Sequence, residues 1–177
     1  MEKLLLHSCC APCSVYCVDT LRGEGIEPVS LWFNPNIHPW TEYDMRRSTL
    51  LQYGELEKLE VRILEDYGLR DFVRAVSADI DHRCAHCYAI RLGTAAKYAA
   101  GHGFDAFTSS LLISPYQDHE LLKAVGETMG SICRNTAAAS SPRRTAIRKR
   151  STRRVSATRR SNDRREAFPC STFLLRC

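Results

Sequence analysis

Lys3-Leu4-Leu5-Leu6-His7-Ser8-Cys9-Cys10-Ala11-Pro12-Cys13 is the stretch on which the rest of the chain hangs. Lys3 to Ser8 is a short apolar run of strand length that ends on a pair of cysteines. Pro12 suits the first turn of a helix and Gly23 suits its stop, so a helix is predicted over about 12–23. A buried strand that feeds directly into a helix is the first half of a strand–helix–strand unit. Ile26 to Phe33 supplies the next strand, and Asn34 to Thr41, broken by Pro35 and Pro39, the loop after it.

The alternation continues outward. Apolar residues at helical spacing (Met45, Leu50, Leu51, Leu56, Leu59) predict a helix over 42–60, followed by a strand at Glu60–Leu64. Asp71–Ser77 reads as a short helix and Asp79–Arg83 as a polar loop. Cys84 to about Ala100 is Ala- and Leu-rich and stops near Gly101 and Gly103, a helix. Ala106–Ile113 is a fourth strand and His119–Gly126 a further helix. Strands alternating with helices give an α/β, Rossmann-like fold, with a mainly parallel sheet flanked by helices.

With 177 residues, 44% hydrophobic and 8% aromatic, the chain suits one ordinary domain that buries its core without disulfide staples. No apolar run reaches the roughly 18 residues that span a bilayer. The leading apolar run stops at His7, too short for a signal peptide, so a cytoplasmic protein with no membrane partner is expected. Nine cysteines in such a compartment favour metal binding or redox chemistry over a disulfide scaffold.

The net charge of +5 conceals two opposite halves. Residues 1–130 hold 12 Lys+Arg against 18 Asp+Glu; residues 131–177 hold 13 against 2. Residues 134–166 contain no Leu, Phe, Tyr, Trp or Met. Such a segment buries too little apolar surface to offset an ordering cost of roughly 1–2 kcal/mol per residue. Two parts are therefore expected: an α/β domain over 1–130 and a basic tail over 131–177.

The cysteines themselves fall into groups. Cys9, Cys10, Cys13 and Cys17 sit at the first strand–helix junction, and Cys84 and Cys87 at a helix start. Neighbouring residues of a strand point to opposite faces, so Cys9 and Cys10 converge only where the strand turns. Cys84 and Cys87, three apart, share a helix face. Ligands of open α/β sheets bind beyond the C-terminal strand ends, where both groups can meet. Four thiolates suit zinc or an iron–sulfur cluster. Buried core cysteines and a thioredoxin-like dithiol at Cys10-Ala11-Pro12-Cys13 are the other readings. No GxGxxG or GxxxxGK[ST] occurs, so a bound dinucleotide has no support.

Longer blocks carry a resemblance. Leu6-His7-Ser8-Cys9-Cys10-Ala11-Pro12-Cys13, Phe33-Asn34-Pro35-Asn36-Ile37-His38-Pro39, Glu42-Tyr43, Arg46-Arg47 and Asp66-Tyr67 resemble the QueH-type epoxyqueuosine reductases. So do Arg83-Cys84-Ala85-His86-Cys87-Tyr88, Arg91-Leu92 and Thr108 to Gln117, in matching order over about residues 3–128. The resemblance implies an oxidoreductase that works without cobalamin at the last step of queuosine synthesis. It reduces epoxyqueuosine to queuosine in tRNA carrying the Tyr, His, Asn and Asp (GUN) anticodons. It also implies a [4Fe–4S] cluster on Cys9, Cys10, Cys84 and Cys87, with Cys13 as a further candidate, for a second iron or as a redox partner. An external donor would supply the electrons.

One departure stands out. The family continues into a Tyr/Cys-Gly-Cys motif whose cysteines form a redox-active disulfide, and no Cys-Gly-Cys occurs here. Cys133, Cys170 and Cys177 are isolated. Motif and composition fail together near residue 130. This points to a tail translated out of frame and an inactive form of the reductase; a basic, tRNA-binding tail and a non-enzymatic zinc protein with four cysteine ligands are the alternatives.

Removing an epoxide oxygen needs a proton donor as well as electrons. His7, His38 and Asp81 lead the candidates, ahead of Asp66, His86 and Tyr88. Arg46, Arg47, Arg83 and Arg91 are candidate phosphate contacts. Ser109, Ser110 and Ser114 are candidate contacts to substrate hydroxyls, and Trp32, Phe33, Trp40 and Tyr43 a candidate stacking surface.

Overall fold

The computed structural model describes residues 3–140 and 174–176. The elements run β1 (Leu4–His7), α1 (Ala11–Gly23), β2 (Pro28–Trp32), α2 (Trp40–Glu57), β3 (Val61–Ile63), α3 (Leu69–Val76), α4 (Arg83–Gly101), β4 (Ala106–Ser109), α5 (His119–Ser140) and β5 (Leu175–Arg176). The sheet order is β3-β2-β1-β4-β5. The first four strands are parallel and β5 is antiparallel to β4. The expected α/β architecture with a mainly parallel sheet is what the chain forms.

Strand alternation builds the two helical layers. Leu5 packs with Leu31 and Phe107 against Tyr88, Leu92, Ala95 and Ala96 of α4. Leu4 and Leu6 point the other way, onto Val18 and Leu21 of α1. Trp32 meets Tyr43 and Leu50 of α2 on that second side. Every residue of β1 is therefore buried, the mark of a parallel strand covered on both faces.

Three expectations need correction. The apolar run at 106–113 is a strand only to Ser109; Ser110–Ile113 coils into a 3₁₀ turn. The Ser109 hydroxyl accepts the Leu111 backbone N–H, which competes with strand continuation. The spacing that predicted the second helix marks its buried face only at Leu50: Met45 and Leu56 are exposed, and Tyr43 and Gly54 complete the buried side. The last helix runs to Ser140, well past Gly126. Of the expected tail over 131–177, residues 141–173 lie outside the described residues, and Leu175–Arg176 pair with β4.

The chain moves outward from β1 through β2 to β3, then crosses back to place β4 on β1's other side. The β1/β4 pair is thus the switch point of the sheet, where a crevice opens beyond the strand ends.

Candidate functional site

The cysteine-bearing turn after β1 is tied down on both sides. Ser8 donates its N–H to the Leu31 carbonyl, and its own carbonyl accepts Asn34 Nδ2 at 3.0 Å. Ser30 Oγ donates to Ser8 Oγ at 2.7 Å. From the β4 side, Ser110 Oγ accepts the Cys9 N–H at 3.0 Å and donates to Cys9 Sγ at 3.3 Å. Cys10 is the N-cap residue of α1 and Pro12 lies in the helix's first turn. Ser14 returns a side-chain bond to the Cys10 carbonyl at 2.8 Å. The strand therefore ends abruptly enough for two adjacent cysteines to face one place.

That place is a cavity of about 320 Å³. Cys9, Cys10 and Cys13 line it from the β1–α1 turn, and Cys84 and Cys87 from the start of α4. Asn36, Ile37, Arg46, Tyr88, Arg91, Leu111, Ser114 and Gln117 complete the wall. The sulfurs of Cys9 and Cys10 are 3.8 Å apart, and those of Cys9, Cys10 and Cys13 all lie within 4.8 Å of one another. Five thiols on one small cavity make a donor set that fits an iron–sulfur cluster or another thiophilic metal.

The electrostatics favour one negative sulfur, at Cys10. Two helix N-termini, of α1 and α4, contribute residues to the wall, and their dipoles favour thiolate. Hydrogen bonds from the Cys13 and Cys9 thiols pull Cys10 far below the ordinary thiol range. The bond with Cys10 pushes Cys9 and Cys13 up. Burial raises Cys87, with the Arg91 charge opposing it. Tyr88 is raised by burial. It is spent on scaffolding: its hydroxyl donates to Gln117 Oε1 at 2.8 Å and accepts the Asp118 N–H at 3.2 Å.

All five metal-candidate cysteines reach the cavity; the three leading acid candidates do not line it. His7 is fully buried between Ser109 Oγ at 2.9 Å and the Phe33 carbonyl at 3.1 Å. Burial, then the Arg91 charge, lowers it to about 3, so it is neutral. His38 sits edge-on to Tyr67 with ring centres 4.9 Å apart, and burial lowers it too. Asp81 is exposed on the loop before α4. Cys17 is buried with Leu6, Val18 and Leu59, away from the cavity wall.

Of the serines, Ser114 alone lines the cavity, since Ser109 serves His7 and Ser110 serves Cys9. Of the arginines, Arg46 and Arg91 line it. Arg47 instead pairs with Asp44 and Glu65. Trp32, Phe33 and Tyr43 are core, while Trp40 is half exposed and stacked on Tyr43 at 5.5 Å. Asn36, Ile37, Leu111 and Gln117 were not singled out as site residues. Their signal was membership of the resembling blocks that follow β2 and β4, with no chemistry in the residue types to set them apart.

A family model described as epoxyqueuosine reductase QueH matches residues 4–160. The chain is 41% identical over 118 residues to a protein of Dehalococcoides mccartyi named epoxyqueuosine reductase QueH, covering 67% of this chain and 65% of that one. Proteins of the same name from Haemophilus influenzae and Acinetobacter baylyi are each 38% identical over 131 residues, 71% of this chain and 53% and 59% of theirs. The chain thus spans between about half and two thirds of these relatives' length. It belongs to the QueH family.

Proposed function

We propose, with family membership as the premise, that the chain carries the reducing centre of an epoxyqueuosine reductase acting on tRNA with GUN anticodons (Tyr, His, Asn and Asp) in the cytoplasm. The observation that supports it most is the meeting of Cys9, Cys10, Cys84 and Cys87 on one cavity at the sheet's switch point. Those four would hold a [4Fe–4S] cluster, which would pass on single electrons from an external donor. Cys13, the fifth thiol on the wall, is left to a second iron or to redox exchange.

The net change is two electrons and two protons in, one alkene and one water out; both C–O bonds of the epoxide break and a C=C bond forms. The chain's share is to shape the crevice. The Tyr88–Gln117 bond fixes the loop carrying Ser114, and Asn34 and Ser110 fix the turn carrying Cys9 and Cys10. Leu111 and Ile37 give the wall its apolar side, while Arg46, Asn36 and Ser114 offer polar contacts to hydroxyls or phosphate. His7 keeps the β1, β2 and β4 ends together.

Anaerobic reconstitution of the full chain with ferrous iron and sulfide should give a brown protein with four irons per chain. Expression in a strain lacking its own epoxyqueuosine reductase, with tRNA nucleosides read by mass spectrometry, tests the activity. A colourless protein with one tightly held zinc would overturn the cluster and favour the structural-zinc reading. A loaded cluster without queuosine formation would favour the inactive-form reading.

A further inference from the structure

Arg91 is a buried cation whose partner is sulfur. Its side chain is on α4, and the residue is only 5% exposed. Nε donates to the Cys87 carbonyl at 3.1 Å, and Nη2 donates to Cys87 Sγ at 3.0 Å. Its guanidinium carbon stands 6.0 Å from the centre of the Tyr88 ring. None of the ion pairs formed among the described residues includes it. A guanidinium stays charged, and a buried charge without a counter-ion is costly. The wall it belongs to carries five thiols and no carboxylate, so sulfur is the group on this cavity that can take up a balancing negative charge.

We propose that Arg91 is a positioning residue that sets the reduction potential of the cluster, acting through the Cys87 sulfur. The inference rests on the cluster reading above. An N–H···S bond to a ligand sulfur and a nearby positive charge both favour the extra electron, and both are recognised levers on cluster potential. The bond to the Cys87 carbonyl holds the guanidinium in its own helical turn, so the fork cannot swing away to solvent. Phosphate contact, the role open to an exposed arginine, is not what this burial favours.

The test is a redox titration of the full chain reconstituted anaerobically with ferrous iron and sulfide, followed by optical and electron paramagnetic resonance spectra. Arg91→Met should bind the same iron as wild type, and its cluster should become harder to reduce. The equilibrium constant should fall at least tenfold, which for one electron is about 59 mV. Arg91→Lys, which keeps the charge but not the fork, should recover part of that loss. Should Arg91→Met be recovered unfolded by circular dichroism, Arg91→Gln makes the same comparison by removing the charge and keeping an amide donor. A charge-free variant with full iron and the wild-type potential overturns the proposal. Folded variants that all lose their iron overturn it as well, since Arg91 would then serve assembly. Failure of wild type itself to take up iron is a separate result, which strikes the cluster reading before any variant is made.

Discussion

Ser110 holds Cys9 by two bonds across 101 residues of sequence: its hydroxyl oxygen accepts the Cys9 N–H at 3.0 Å and donates to the Cys9 sulfur at 3.3 Å. Both residues are buried, and they lie just past the ends of adjacent parallel strands. Ser110→Ala would leave a buried N–H without its partner, which costs about 1–3 kcal/mol. Ser110→Cys, which keeps a weaker partner, should cost less. Urea unfolding of the apo protein measures both, and an Ala variant as stable as wild type would show that the pairing contributes nothing.

Single alanine substitutions at Cys9, Cys10, Cys84 and Cys87 should each remove most of the reconstituted iron, because a four-thiolate cluster lacking one ligand is open to water. The two-sided character of the cavity gives the sharper comparison. Cys84→Ala lies on α4 and Cys9→Ala on the β1 turn, so equal losses from both would support one shared cluster. Full iron and sulfide in either variant counts against the four-ligand assignment.

The legible and the illegible parts of the chain separate by the range of the interactions involved. Leu4-Leu5-Leu6 announced a buried strand because an unbroken apolar run is a local property, and burial on both faces agrees. The meeting of the Cys9–Cys10 and Cys84–Cys87 groups followed from a rule of sheet topology that needs only the element order. His7, His38 and Asp81 resembled proton donors by type, yet whether such a group reaches a cavity is decided by tertiary contacts such as that of His7 with Ser109. The coil at Ser110 turned on one hydroxyl. Strand β5 is two residues long and joins the sheet from position 175, beyond any local pattern. On α2, Leu56 fits the helical spacing but is 82% exposed, so periodicity counted an apolar residue that packs on nothing.

His7 makes stability depend on pH. Its folded value is about 3 against the ordinary 6.5, because burial and then Arg91 disfavour the charged ring. Between those two values the unfolded chain binds a proton that the folded chain refuses, so stability falls as pH falls through the window. Above about 6.5 the contribution is flat. The slope from this residue is about 1.4 kcal/mol per pH unit. Urea unfolding at several pH values between about 4 and 6 should show wild type losing stability more steeply than His7→Asn, by a margin that approaches that amount as pH falls. Parallel curves would refute the buried neutral histidine.

Gly54 lets α2 settle on β3. A Cβ there would stand 2.5 Å from Val61 Cγ2 and 3.1 Å from the Leu59 carbonyl. Alanine is normally the better helix residue by roughly 0.5–1 kcal/mol. Here the obstacle is a stiff β-branched side chain on a strand and a backbone oxygen, neither of which yields cheaply, and overpacking costs about 1–3 kcal/mol. Gly54→Ala should therefore be net destabilising in thermal or urea unfolding. A gain in stability would mean that β3 shifts freely against the helix.

The Cys10 sulfur tests the thiol network before any metal is added. Hydrogen bonds from Cys13, first, and Cys9 hold it as a thiolate far below the usual range. The order in which cysteines react with iodoacetamide is a poor readout, since a low-pKa thiolate is also a weaker nucleophile, and Cys84 is the more exposed of the two. The pH profile is the better one. An ordinary thiol below its pKa reacts about tenfold faster for each added pH unit, because only its thiolate reacts. Cys10 is already thiolate, so its rate, followed by mass spectrometry of the Cys10 peptide, should be flat between about pH 6 and 8. Cys13→Ala removes the largest single stabilisation of the thiolate and should bring back a rising profile. A steep profile in wild type would show that the three sulfurs do not share their protons in this way, and the Cys9–Cys10–Cys13 group would then be three independent thiols.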